Sequence, residues 1–293
     1  MYNQIDSNKR KTALLIAVFL VFFLALGWFL GVYLGHGYGV FALCLLLSLG
    51  MTLVSFFQGD KIALSTTGAK AINKEDNPYV YRLVENLAIT AGLPLPKIYI
   101  IDSPAMNAFA TGRDPQHASL ALTTGLIQNL ENEELEGVIA HELSHIQNYD
   151  IRLMTIVVVL VGAITLLANI FFRTRGLTSQ RNDNRHNGQL GAIIAVIGVL
   201  LIVLSPIIAE LIKLAISRKR EFLADASGVM LTRYPEGLAK ALEKISQSTI
   251  PLNTANSATA HLFISNPFKS QSWHRLFSTH PPIPERIAKL RGQ

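Results

Sequence analysis

The chain has 293 residues, a formal net charge of +6 and a single cysteine, Cys44. One cysteine excludes an intrachain disulfide, which fits working parts in a reducing compartment. The positive balance calls for no nucleic acid, because no nucleic-acid-binding motif is present and the Lys and Arg residues gather at the ends of apolar runs.

From Thr12 to Gly59 there is no Asp, Glu, Lys or Arg, and Gly35-His36-Gly37 divides the stretch into two apolar runs, 12–34 and 38–57. Each is long enough to cross a hydrocarbon core about 30 Å thick. Lys9, Arg10 and Lys11 precede the first run, but it exceeds the apolar length of a signal peptide and a second run follows at once, so it reads as a retained anchor. Ile151 to Phe172 makes a third run, and Leu190 to Ala209 a fourth, extending with its flank to 212. The segment 173–189 between them, rich in Arg, Asn, Ser and Gly, reads as a loop. Lys and Arg near the span ends are concentrated on the side of the N-terminus, which the positive-inside tendency makes cytoplasmic. The polar remainder falls into two pieces, 58–150 and 213–293, that two intervening runs return to the same face.

In the first piece, Lys97–Ile101, Met106–Thr111 and Ala118–Thr123 read as short strands, punctuated by Pro94, Pro96, Pro104 and Pro115. An edge strand among them offers main-chain hydrogen bonds to an extended polypeptide. A helix is expected next: Asn132 is a plausible N-cap, Glu133, Glu134 and Glu136 suit the dipole, and Leu135, Val138, Ile139, Leu143 and Ile146 recur at helical spacing. On it lies His141-Glu142-Leu143-Ser144-His145. Imidazoles four residues apart share one helix face and can grip one Zn²⁺, while Glu142 beside the first can act as general base on a water. A structural metal tie between two cytosolic segments has no use for such a base, so Glu142 separates a hydrolase from a non-catalytic scaffold. A channel or transporter is disfavoured because the first three runs carry no buried ionisable residue.

A catalytic zinc needs a third protein ligand and an open position. Glu221 is the best candidate, with Asp225 one turn later able to accept the outer N–H of a ligating histidine, His141 first. A solvated charged helix face is the other reading of Arg218-Lys219-Arg220-Glu221.

The His141–His145 motif, the Arg-Glu-Phe-x-Ala-Asp run ending at Asp225, Asn107-Ala108-Phe109-Ala110-Thr111-Gly112, and Ser278-Thr279-His280-Pro281-Pro282 with Glu285-Arg286-Ile287 occur in the order found in the HtpX family of bacterial membrane zinc endopeptidases, which the chain resembles nearly end to end. The resemblance implies a mainly α-helical multi-pass membrane protein whose zincin-like α+β protease domain, with a small β-sheet, is assembled from the two polar pieces. It maps the ligands of one Zn²⁺ onto His141, His145 and Glu221, and the base onto Glu142. It assigns Asn107 to substrate binding at a strand edge and places His280 in the active-site region, where it is the first choice for a further oxyanion donor; Arg286 reads either as orienting His280 or binding substrate, or as an ordinary helix-surface arginine. The implied partners are membrane-protein or unfolded polypeptide substrates and the lipid bilayer, and the implied place is the bacterial inner membrane. A peptidase for prenylated C-termini shares this chemistry, but four runs offer little to enclose a lipid chamber. His145 lies six residues before Ile151, about 9 Å along a continuous helix, which puts the metal close to the bilayer.

Overall fold

The computed structural model describes residues 2–33, 38–162, 217–256, 258–268 and 281–292. Two long helices, α1 (Tyr2–Tyr33) and α2 (Tyr38–Thr66), contain the first two apolar runs and pack side by side. Large apolar side chains cover their outer faces, among them Leu14, Val21, Trp28 and Val32 on α1 and Leu43, Leu46, Leu53 and Phe57 on α2. Among the described residues, one segment, Phe41–Thr66, meets the length and composition needed to cross a membrane, and only 11% of its apolar 18-residue stretch is buried. The third run enters as α6 (residues 150–162); its continuation, the 173–189 loop and the fourth run lie outside the described residues.

Between α2 and α6 comes a small four-stranded mixed sheet. Strand β1 (Lys70–Ala71) pairs antiparallel with β2 (Lys97–Ile101), β2 pairs parallel with β4 (Ala118–Thr123), and β4 pairs antiparallel with β3 (Ala108–Gly112). Both faces of the sheet are covered. Leu120 and Leu122 of β4 point into a core with Val84 of α3 (Pro78–Ala91) and with Leu135, Ile139 and Leu143 of α5 (Asn132–Gln147). Ala121, on the opposite face, joins Phe109, Leu64 near the end of α2, Met154 and Val158 of α6, and Phe263. The period of two along a strand therefore sets one side against the polar domain and the other against the ends of the apolar helices. A further core joins Leu15, Phe19 and Phe23 of α1 to Leu153, Val157 and Leu160 of α6.

After β4 a short α4 (Thr124–Asn129) leads to α5, and the second polar piece supplies α7 (Arg218–Thr232), α8 (Pro235–Gln247) and α9 (Ile283–Leu290). Helix α5 is the hub, packed against α3, β3, α7 and α8. Its first capping residue is Glu131, whose side chain and that of Glu134 form a reciprocal capping box. Asn132, expected in that role, instead donates to Glu136 and accepts from Tyr79.

Candidate metal centre and active site

Every residue from Val138 to Ile146 on α5 is buried, because the helix is covered on one side by the sheet core and on the other by α7 and α8. His141 and His145 stack one turn apart, with ring centroids 4.7 Å apart and Nε2 atoms 3.2 Å apart. The partner helix α7 presents Glu221, Asp225 and Gly228 to α5, positions i, i+4 and i+7 on one face. Gly228 permits the approach: a Cβ there would lie 3.0 Å from the His141 backbone nitrogen. One turn from each other, the two carboxylates meet different atoms of the imidazoles. Glu221 Oε1 is 3.6 Å from His145 Nε2 and its Oε2 is 3.8 Å from His141 Nε2, while Asp225 Oδ1 is 2.9 Å from His141 Nδ1.

His141, His145 and Glu221 thus each offer one ligand atom, all within 4.8 Å of one another. Bonds of about 2.0 to 2.1 Å in a tetrahedral arrangement place ligand atoms about 3.3 Å apart, close to the spacing found here. Charge supports the same fit. Four carboxylates (Glu142, Asp150, Glu221 and Asp225) and two guanidiniums (Arg220 and Arg286) are buried around the pair. With neutral imidazoles, that set carries two excess negative charges, the complement of one divalent cation. Burial alone would lower His145, but the hydrogen bond to Asp150 and the charges of Glu221, Asp150 and Glu142 outweigh it, pushing the imidazole up to about 9.

Two supports hold the imidazoles from behind. Asp225, beside His141, is gripped by Arg286 of α9, whose Nη2 and Nε donate to its two oxygens at 2.6 and 2.9 Å. Burial raises the Asp225 carboxyl, yet the Arg286 charge and the hydrogen bonds from His141 and Arg286 hold it well below the usual carboxylate range. Behind His145 stands Asp150, whose Oδ2 is 3.0 Å from Nδ1. Sequence reasoning missed Asp150 because it treated 145–151 as one helix. Helix α5 instead ends at Gln147, and Tyr149 adopts a left-handed φ of 59°, which turns the chain and brings Asp150 back beside a residue five positions earlier. That conformation costs a non-glycine residue about 1 to 2 kcal/mol. The Tyr149 ring has Lys9 and Arg152 against it, at 4.8 and 5.1 Å from its centroid.

Glu142 faces away from this support and towards β3. Burial pushes its carboxyl up, against the pull of His141 and His145, and the Ala110 backbone N–H donates to it. The outer edge of β3 is closed at several points: Ile264 N–H donates to the Ala108 carbonyl at 3.0 Å and Gly112 N–H donates to Thr155 at 3.0 Å. All five strand residues are buried, and buried main-chain groups must find partners. The edge expected to receive an extended polypeptide is thus occupied by the protein itself over these positions.

The structure places two further site candidates as follows. Asn107 is buried, with Nδ2 donating to the Ser265 carbonyl at 3.0 Å and Oδ1 accepting from the Ser265 and Ala108 backbone N–H groups. It pins the 263–265 segment to β3, and its amide is committed to main chain. Arg286 is fully buried and bound to Asp225, which makes it a support for the His141 side. His280 lies outside the described residues.

The sequence profile of peptidase family M48 matches residues 74–293. The chain belongs to peptidase family M48. It is 46% identical over 295 residues to a protease HtpX homolog of Caldanaerobacter subterraneus subsp. tengcongensis, covering 100% of this chain and 97% of that protein. Protease HtpX homologs of Tropheryma whipplei and Streptococcus uberis are each 46% identical, over 291 and 296 residues, with 99% of this chain and 98% and 99% of theirs covered. The crystal structure of S. mikatae Ste24p is similar at 20% identity and a TM-score of 0.47, covering 99% of this chain and 67% of that one. As an M48 peptidase of the HtpX type, the protein is a metalloprotease, and the exposed apolar faces of α1 and α2 make it a membrane-associated one.

Proposed function

We propose that this M48 peptidase is a multi-pass zinc endopeptidase of the bacterial cytoplasmic membrane, with its N-terminus and active site on the cytoplasmic side. Its substrates, on this reading, are misfolded or damaged membrane proteins, cut at segments close to the bilayer, and unfolded polypeptides. The observation that carries the reading is the convergence of His141, His145 and Glu221 beside a buried Glu142, in a domain whose sheet rests on the ends of apolar helices.

His141, His145 and Glu221 would hold one Zn²⁺, the two-histidine, one-glutamate set of catalytic zinc sites. Bound there, the ion supplies Lewis-acid polarisation of the scissile carbonyl and makes water nucleophilic near neutral pH. Glu142 takes the proton of the attacking water and passes it to the leaving amine; a carboxyl raised by burial is suited to both steps. Asp225 and Asp150 accept from the outer ring nitrogens, fixing the tautomer that would leave each Nε2 lone pair free to hold the ion. Restriction to membrane-proximal segments is supported by the short path from His145 to the apolar α6, which begins at residue 150.

The test is to purify the full chain and its Glu142→Ala variant in detergent, measure zinc per chain, and follow cleavage of casein. Cleavage by the parent, with loss of cleavage and retention of zinc in the variant, is the expected result; equal activity in both removes Glu142 from its role.

A further inference from the structure

Asn8 lies in the second turn of α1, ahead of the apolar run, yet it is only 1% exposed. A buried amide is tolerated when its hydrogen bonds are made, and these are made at long range. Its Nδ2 donates to Asp150 Oδ1 at 2.6 Å and to the Asn148 carbonyl at 2.9 Å. Its Oδ1 accepts from Arg220 Nη1 at 3.4 Å, and Arg220 in turn lies 3.6 Å from Asp150. One side chain therefore touches the residue behind His145, the turn that delivers that residue, and the neighbour of Glu221. Among the described residues neither amide atom of the buried Asn148 side chain is bonded, so the bond from Asn8 to its carbonyl is the long-range polar tie on a turn otherwise held by the local Asn148 N–H to Ser144 and Tyr149 N–H to Ile146 main-chain bonds.

Resting on the reading of His141, His145 and Glu221 as the ligand set, we propose that Asn8 and Asp150 are positioning residues for the metal, so that the docked N-terminal segment of α1 sets how tightly the centre holds its ion. Asp150 fixes the ring of His145, and Asn8 fixes Asp150. The helix that carries the first apolar run is thereby also part of the support of a site distant from it in sequence, and undocking it loosens the ion.

The experiment uses the full-length protein in detergent, stripped with a chelator and titrated with Zn²⁺ against a chromophoric competitor, with Co²⁺ absorption as a second readout of ligand geometry. Asp150→Asn is expected to weaken Zn²⁺ binding by about 10- to 100-fold and Asn8→Ala by about tenfold, the range for groups that orient metal ligands. Both should alter the Co²⁺ spectrum while circular dichroism and elution volume stay those of the parent. Asn8→Ser, which keeps one donor, should fall between Asn8→Ala and the parent, and it decides the question if Asn8→Ala fails to fold. Arg10→Ala, exposed on the same helix, should bind as the parent does. Parental affinity and spectrum in Asn8→Ser and Asp150→Asn overturn the proposal. A parent protein that takes up no metal overturns instead the ligand assignment on which it rests.

Discussion

Arg286 donates through two nitrogens to both oxygens of Asp225, at 2.6 and 2.9 Å, and the oxygen taking the shorter bond also lies 2.9 Å from His141 Nδ1. A guanidinium on the last described helix thus orients an imidazole on α5 through one intervening carboxylate. Removing one member of a buried ion pair strands the other, at a cost of about 3 to 5 kcal/mol. Arg286→Ala should therefore destabilise the protein by about that amount in denaturant or thermal unfolding. Arg286→Lys should recover little, since a point charge cannot reproduce the two-pronged contact. An Arg286→Ala protein that unfolds at the parental midpoint would refute this account.

The pH dependence of the metal-free protein follows from His145. Its folded-state value of about 9 lies above the ordinary imidazole value, so the charged form is favoured by folding. The stabilisation is then fully present below about pH 6.5 and is lost as pH rises through about 9. Chelator-treated protein should melt at its highest temperature on the acid side of that window and progressively lower across it, and Asp150→Asn should flatten the dependence. Because a metal must displace this proton, Zn²⁺ binding at pH 7 should release close to one proton from His145, measurable by calorimetry in buffers of different ionisation enthalpy. Zero release at pH 7 would contradict the protonated state.

What could be seen in the sequence, and what could not, divides along the range of the interactions. His141 with His145, and Glu221 with Asp225, are pairs one helical turn apart, so the periodicity of a single segment puts each pair on one face. Strands β2, β3 and β4 are legible as short segments set off by proline punctuation, whereas β1 is only two residues long and exists through its partner. Asp150 was hidden by the turn at Asn148-Tyr149, where no glycine marks the left-handed residue. Asn8 was hidden because its partners lie 140 and more residues away. Arg286 sits on an eight-residue amphipathic helix, in which the sequence does not reveal that an arginine has turned inward.

Gly228 controls the distance between the two ligand-bearing helices. A methyl group there would sit 3.0 Å from His141 N and 3.3 Å from the Ala140 carbonyl carbon, both main-chain atoms that cannot swing aside. Helix α7 must then retreat by a few tenths of an ångström, carrying Glu221 with it. Gly228→Ala should lower stability by about 1 to 3 kcal/mol, as overpacking does, despite the better helix propensity of alanine. It should also weaken Zn²⁺ binding, and Gly228→Val should do both more severely. Parental Zn²⁺ affinity in Gly228→Val would show that the helix separation does not govern the site.

Leu46 tests what lies outside α2. It is 68% exposed, between Leu43 and Leu53, which are also more than half exposed, so truncating it removes little internal packing. Leu46→Ala should leave unfolding unchanged within about 0.5 kcal/mol, the usual range for a surface substitution. If this face meets hydrocarbon, Leu46→Asp must bring a carboxylate into it, at a cost of about 2.5 to 3.5 kcal/mol near a helix centre. The fraction of full-length protein that stays with membranes after alkaline carbonate extraction should therefore fall for Leu46→Asp and remain parental for Leu46→Ala. Equal retention of the two variants would mean that this face of α2 is not in contact with lipid.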